Sequence, residues 1–175
     1  YCAHAGDCAA FNYGVPGYGP QQMWLQVCRQ GVLKEFGTRK GIVVYTFFDD
    51  HLNRLAGTAA IIAGWDDAMP WLELRDGQVA QGGTFYDRSP LQYFYLHYIN
   101  QMHLSRFIEK RFAAGSGQVP QGNPPALELL VKVLIECADT ARKQAPGLDF
   151  FCMLQPKGSG PWGRLLAERL RGASV

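Results

Sequence analysis

Two short stretches of this chain carry residue types that can do chemistry. The first is Asn12-Tyr13-Gly14-Val15-Pro16-Gly17-Tyr18-Gly19-Pro20. A glycine there lets a substrate oxygen come close to the backbone, where a Cβ would block it. Amides presented this way around Gly17 could stabilise the oxyanion of an acyl-transfer reaction. A tight strand-to-helix connection with no ligand would use the same residues. The second stretch is Asp49-Asp50-His51, directly behind the apolar run Gly41-Ile42-Val43-Val44-Tyr45-Thr46-Phe47-Phe48. Polar groups at the carboxyl end of a strand are where open α/β sheets collect their ligands. His51 in that position is either a general base or a residue that anchors its loop by a hydrogen bond. Tyr18 and Asp50 are the neighbouring pocket candidates.

Other candidates are weaker in context. His97 and His103 lie six apart on one predicted helix and share no face. Ser116 and Ser159 each sit in Gly-Ser-Gly, which suits a flexible turn and not a Gly-x-Ser-x-Gly elbow. Asp66-Asp67 beside Trp65 reads as a solvated turn before Pro70. The aromatic group Phe85, Tyr86, Tyr93, Phe94, Tyr95 and Tyr98 either lines an apolar pocket or packs as core and helix interface. No cofactor and no metal is expected.

The elements that must position these residues follow from periodicity. Residues 9–12 read as the end of a short strand, and 13–19 as a turn-rich loop. Pro20 suits a first helical turn. Trp24, Val27, Cys28 and Gly31 then mark one helical face, with Gly37 as the stop. The run 41–48 reads as a parallel strand covered on both faces. Trp71 to Arg75 and Gln78 to Ala80, joined by Asp76-Gly77, read as a hairpin within an insertion spanning 66–88. Ser89-Pro90 opens a helix expected to run through Phe112. Residues 114–125 read as a mobile loop. Leu127, Leu130, Val131, Leu134, Ile135, Ala138 and Ala141 form an apolar stripe on the clearest helix in the chain. A second strand over 148–154 and a last helix carrying Trp162, Leu165, Leu166 and Leu170 complete the order. Alternation of this kind predicts an α/β domain with a mostly parallel sheet.

Composition narrows the function classes. The 175 residues fit one domain, and 47% hydrophobic content supports a core. The net charge of +2 carries no basic run, so nucleic acid is not an expected partner. No apolar stretch reaches the ~20 residues that cross a bilayer. Tyr1-Cys2-Ala3-His4 carries neither the basic nor the apolar region of a signal peptide. None of the five cysteines forms a Cys-x-x-Cys motif. Cys28, Cys137 and Cys152 read as small core residues, while Cys2 and Cys8 are near enough in sequence to bridge in an oxidising compartment.

Residues 12–23, Asn12 through Gln21-Gln22-Met23, closely resemble the second sequence block of SGNH (GDSL-type) ester hydrolases. Residues 42–51, ending in Asp49-Asp50-His51, look like the third block. Phe150-Phe151-Cys152-Met153-Leu154-Gln155-Pro156 is similar to a later strand of the same fold. The resemblance covers residues 9–172 and corresponds to the middle of such a domain. It implies a three-layer α/β/α sandwich, incomplete at both ends, and a serine esterase acting on a small-molecule, lipid or glycan ester. By position Gly17 would give an oxyanion-hole N–H. Asp49 falls where the family carries an asparagine, and an ionised carboxylate accepts hydrogen bonds but donates none. Asp49 would help only if protonated, which burial can achieve; its other reading is a helix cap. The family's serine block and its Asp-x-x-His block have no counterpart in these residues. Gly6-Asp7-Cys8 imitates Gly-Asp-Ser, but six residues to Gly14 leave no room for the helix that should follow. The expectation is therefore an ester hydrolase whose nucleophile and base are not in this chain, and which is inactive as it stands. The alternative is a non-catalytic SGNH-like binding or scaffold domain.

Overall fold

The computed structural model describes residues 3–5, 8–58, 61–62, 69–99, 124–155 and 160–171. In chain order the elements are β1 (Ala3–Ala5), β2 (Cys8–Ala10), α1 (Pro20–Trp24), β3 (Gly41–Phe47), α2 (Asp50–Ala56), β4 (Pro70–Arg75), β5 (Gln78–Thr84), α3 (Phe85–Arg88), α4 (Pro90–Phe94), α5 (Pro124–Gln144), β6 (Leu148–Leu154) and α6 (Gly160–Leu170). The expected loop over 114–125 falls outside the described residues except for Pro124 and Pro125, which open α5. Ser116, Ser159, Asp66, Asp67 and His103 also lie outside them.

The fold is mixed α/β. β3 and β6 pair in parallel, Gly41 opposite Leu148 through Phe47 opposite Leu154. β4 and β5 form an antiparallel pair, as do β1 and β2. The β4–β5 turn holds Asp76 at φ 52 and Gly77 at φ 77, the two positive values that a type I′ hairpin turn needs.

The parallel pair departs from the expected strand environment. Val43, Tyr45 and Phe47 alternate with exposed Ile42 and Val44. Leu148 and Phe150 alternate in the same way with exposed Phe151 and Met153. Among the described residues only one face is covered, by the apolar side of α5, so these residues build two of the three layers expected. Side chains at i and i+2 share a face. The unbroken apolar run over 41–48 therefore supplies one buried and one open apolar surface. Each open aliphatic forgoes the roughly 1.5–3 kcal/mol that full burial of such a side chain contributes.

Of the stripe read from its periodicity, α5 leaves Val131 and Ile135 only partly buried. Leu127, Leu130, Leu134, Ala138 and Ala141 of that stripe are buried, joined by Val133 and Cys137, which lay outside it. They meet Trp24, Phe47, Leu52 and Leu55, which lock α1 and α2 onto the same core. The helix after Pro20 differs from expectation. α1 passes into a π-helical segment, Leu25–Gln30, and ends at Gly31, not at Gly37. Gly31 adopts φ 65, the left-handed conformation that terminates helices. A 3₁₀ turn, Val32–Phe36, follows it. Likewise α4 gives way to a π-helical segment, Tyr95–Ile99, beyond which residues 100–123 lie outside the described set. Ser89 precedes α4, but its side chain makes no cap hydrogen bond.

Candidate functional site

The glycine-rich loop, residues 11–19, is shaped by its own hydrogen bonds. Asn12 Oδ1 accepts the Gly14 amide at 2.9 Å, and the Val15 carbonyl accepts the Tyr18 amide at 3.0 Å. Pro16 and Gly17 are the two central residues of that second turn. Gly17 has φ 90, the positive value that a type II turn demands at its third position. The Gly19 amide donates to Gln22 Oε1 at 2.8 Å and so starts α1. Among the described residues the Gly17 amide has no partner.

Arg54, on the last turn of α2, holds this loop in place. Its Nη1 donates to the Tyr18 carbonyl at 2.7 Å, and its Nε to Asp50 Oδ2 at 2.8 Å. In return Gln21, fully buried, donates Nε2 to the Arg54 carbonyl at 2.6 Å. The glycine-rich loop, the start of α1 and α2 are thus joined through Arg54. Asp50 is engaged as the counter-charge of Arg54, not as a pocket residue.

Asp49 stands at the start of α2, yet its side chain makes no cap hydrogen bond. The capping expectation for Asp49 is therefore overturned. Its backbone is already in the right-handed helical region, φ −57 and ψ −31, whereas a capping side chain usually needs an extended residue at that position. Its Oδ1 is buried and finds no donor among the described residues. Burial raises the Asp49 carboxyl above its ordinary range, which favours the neutral acid.

His51 is 5% exposed. Its Nδ1 lies 2.6 Å from the Tyr45 hydroxyl, and its ring centroid is 3.9 Å from that of Phe48. Burial, helped by the Arg54 charge and opposed by Asp50, pushes the imidazole down to about 4. It is neutral at ordinary pH. Burial first, then the nearby Cys152 and Cys137 thiols, raises the Tyr45 phenol well above its usual value. The pair is therefore an uncharged hydrogen bond among aromatic rings.

A cavity of about 1110 Å³ runs along β3 and reaches this point. Tyr13, Val15, Tyr18, Val44, Phe48 and His51 are among the residues that line it, with the unbroken run 40–46 forming one wall. Arg39 and Lys40 are the charged side chains among the described residues that line it. Among the described residues that line it there is no serine and no cysteine. Of the five residues singled out in the sequence, Tyr18 and His51 reach the cavity. Gly17, Asp49 and Asp50 do not line it, and neither does any of the aromatic group 85–98. Phe85 and Tyr93 of that group are buried in a separate cluster with Ile61, Ile62 and Met69.

Three residues that shape the candidate site gave no such expectation from the sequence. Arg54 carried a usable signal, an Asp50/Arg54 pair at i and i+4 on one helix. Tyr45 and Gln21 carried none, because their partners are set by tertiary packing. Among the described residues no group of His, Cys, Asp and Glu could hold a metal ion. No helix among them is long and apolar enough to cross a membrane. No protein-family model, curated protein or solved structure matches this chain.

Proposed function

We propose that this chain forms the acyl-ester-binding part of an SGNH-type serine ester hydrolase. One observation above all supports the reading. A largely apolar cavity of about 1110 Å³ extends along β3 to His51, where the glycine-rich loop meets the carboxyl end of the strand. A volume of this order is just above the usual range of about 300–1,000 Å³ for small-molecule sites and suits a lipid-like ester. Of the three substrate classes the resemblance implies, small-molecule, lipid and glycan esters, the apolar lining favours the lipid ester. The acyl chain would lie against Val15, Val44 and Phe48, with its carbonyl toward Tyr18. Gly17, next to the lining residue Tyr18, offers a free amide, a donor of the kind a developing oxyanion requires, whereas Asp49 does not reach the cavity. His51, neutral and fixed through Nδ1 by Tyr45, keeps its Nε2 for exchange with a reacting group. No serine or cysteine is among the described residues that line this cavity, and the chain alone is expected to bind esters and not to turn them over.

The test is titration with cis-parinaric acid, a fluorescent fatty acid. Saturable binding that oleate competes for, weakened at least tenfold in Val44→Arg, is the expected result. Fluorescence that rises without saturation, or that Val44→Arg leaves unchanged, would sink the proposal. Turnover of 4-nitrophenyl butyrate that a serine-directed phosphonate abolishes would show a nucleophile within the chain.

The alternative reading, a non-catalytic SGNH-like binding or scaffold domain, is favoured by a specific observation. The amides of Gly14, Tyr18 and Gly19 are already spent on Asn12, Val15 and Gln22. An alkylphosphonate and the alkanamide of equal chain length separate the two. A hydrolase site binds the phosphonate more tightly, whereas a simple apolar groove does not distinguish them.

A further inference from the structure

Cys28 and Cys137 take no part in the reading above. They lie 109 residues apart in the chain, and their Sγ atoms are 3.9 Å apart. Cys28 sits on the π-helical segment after α1, and Cys137 on α5. Both supports are firmly held. Gln144 Nε2 on α5 donates to the Val27 carbonyl at 3.0 Å, and Val27, Ala138 and Ala141 are buried around the pair. The sulfurs are thus held in contact, and a disulfide asks them to close to ~2.0 Å.

The two thiols are unequal. Cys28 is half-buried, whereas Cys137 is completely enclosed. A hydrogen bond from Cys137 lowers the Cys28 thiol below its usual value, with Thr140 and Arg29 acting in the same direction and burial and the Glu136 charge opposing them. Thr140 Oγ1 is 3.6 Å from Cys28 Sγ. The Cys28 bond and burial raise Cys137 well above the ordinary range. Cys152, pushed up to about 11 by burial, is the unreactive third thiol.

We propose that Cys28 and Cys137 form a redox-modification site, which a low-molecular-weight disulfide of the oxidised-glutathione class converts into an intramolecular disulfide. The Cys28 thiolate attacks one sulfur of the reagent, its disulfide breaks, and one thiolate leaves. Cys137 then loses its proton, attacks Cys28 Sγ in the mixed disulfide, and expels the second thiolate. Two protein thiols are oxidised and one reagent disulfide is reduced to two thiols. The link fastens to α5 the segment whose Gln26 and Val27 line the cavity, so oxidation would fix that wall.

The experiment uses the reduced full chain carrying Cys2→Ser and Cys8→Ser, incubated with oxidised glutathione. Free thiols are counted, and peptides are mapped unreduced after trypsin. Two of the three remaining thiols should disappear, no glutathione should be retained, and the peptide ending at Arg29 should be joined to the one carrying Cys137. In a Cys137→Ser variant glutathione should stay on Cys28. Glutathione stably retained on Cys28 of the parent, Cys152 reacting before Cys28, or no thiol loss would each overturn the proposal.

Discussion

Tyr45 and His51, six residues apart in the chain, meet through a 2.6 Å hydrogen bond between the phenol oxygen and Nδ1. β3 supplies the phenol and the first turn of α2 the imidazole, so the bond closes the corner between them. Because His51 is buried and held at about 4, the folded state prefers it uncharged. An unfolded histidine titrates near 6.5. The stability contributed by neutral His51 is present above about pH 6.5 and is lost as pH falls toward 4. The size of the shift makes this loss about 3 kcal/mol. Urea unfolding between pH 7 and 4 should show it, and the His51 ring resonance should titrate near 4. A titration near 6.5 would contradict the burial argument.

Asp49 works in the opposite sense. Its folded carboxyl is raised, so any stability tied to the neutral acid is present at low pH and is lost as pH rises through the folded value. Asp49→Asn replaces a carboxyl whose buried Oδ1 has no donor among the described residues. The variant is expected to gain up to about 1 kcal/mol at pH 7, with the gain vanishing below the ordinary carboxylate range. A loss of stability at pH 7 would mean that Asp49 has a donor partner in solution.

Arg54→Ala cuts the bonds to the Tyr18 carbonyl and to Asp50 together. Hydrogen bonds to charged groups contribute about 1.5–3 kcal/mol each, although half-exposed Asp50 recovers solvation. A loss of about 2 kcal/mol is expected. Amide exchange should accelerate over residues 13–19 while α5 stays protected. Uniform acceleration along the chain would mean that Arg54 supports the core and not the loop.

Val44→Arg should be almost silent in stability. Val44 is 48% exposed, and exposed substitutions usually fall within ~0.5 kcal/mol. Circular dichroism and the urea midpoint should match the parent even where fatty-acid binding is lost. A large drop in the midpoint would show that the open face of the β3–β6 pair is covered in solution.

Pattern alone carries much of the secondary structure. The period of 3.6 in residues 127–141 announces α5 and most of its buried face, and Asp76-Gly77 announces the β4–β5 turn, because both signals are local; that Val133 and Cys137 are buried more fully than Val131 and Ile135 was decided by packing. Pro16 and Gly17 likewise announce a turn, since their backbone angles follow from ring and missing side chain. Three things rested on packing. Whether β3 was covered on one face or two depended on which layers met it, and an apolar run reads the same in either case. The end of the first helix moved from Gly37 to Gly31 because both glycines are good stops and tertiary contacts chose between them. The partners of His51, Arg54, Cys28 and Cys137 came from elements distant in sequence or turned around a corner. Spacing names the groups capable of chemistry, but their protonation and reactivity depend on the burial and neighbours that folding brings to them.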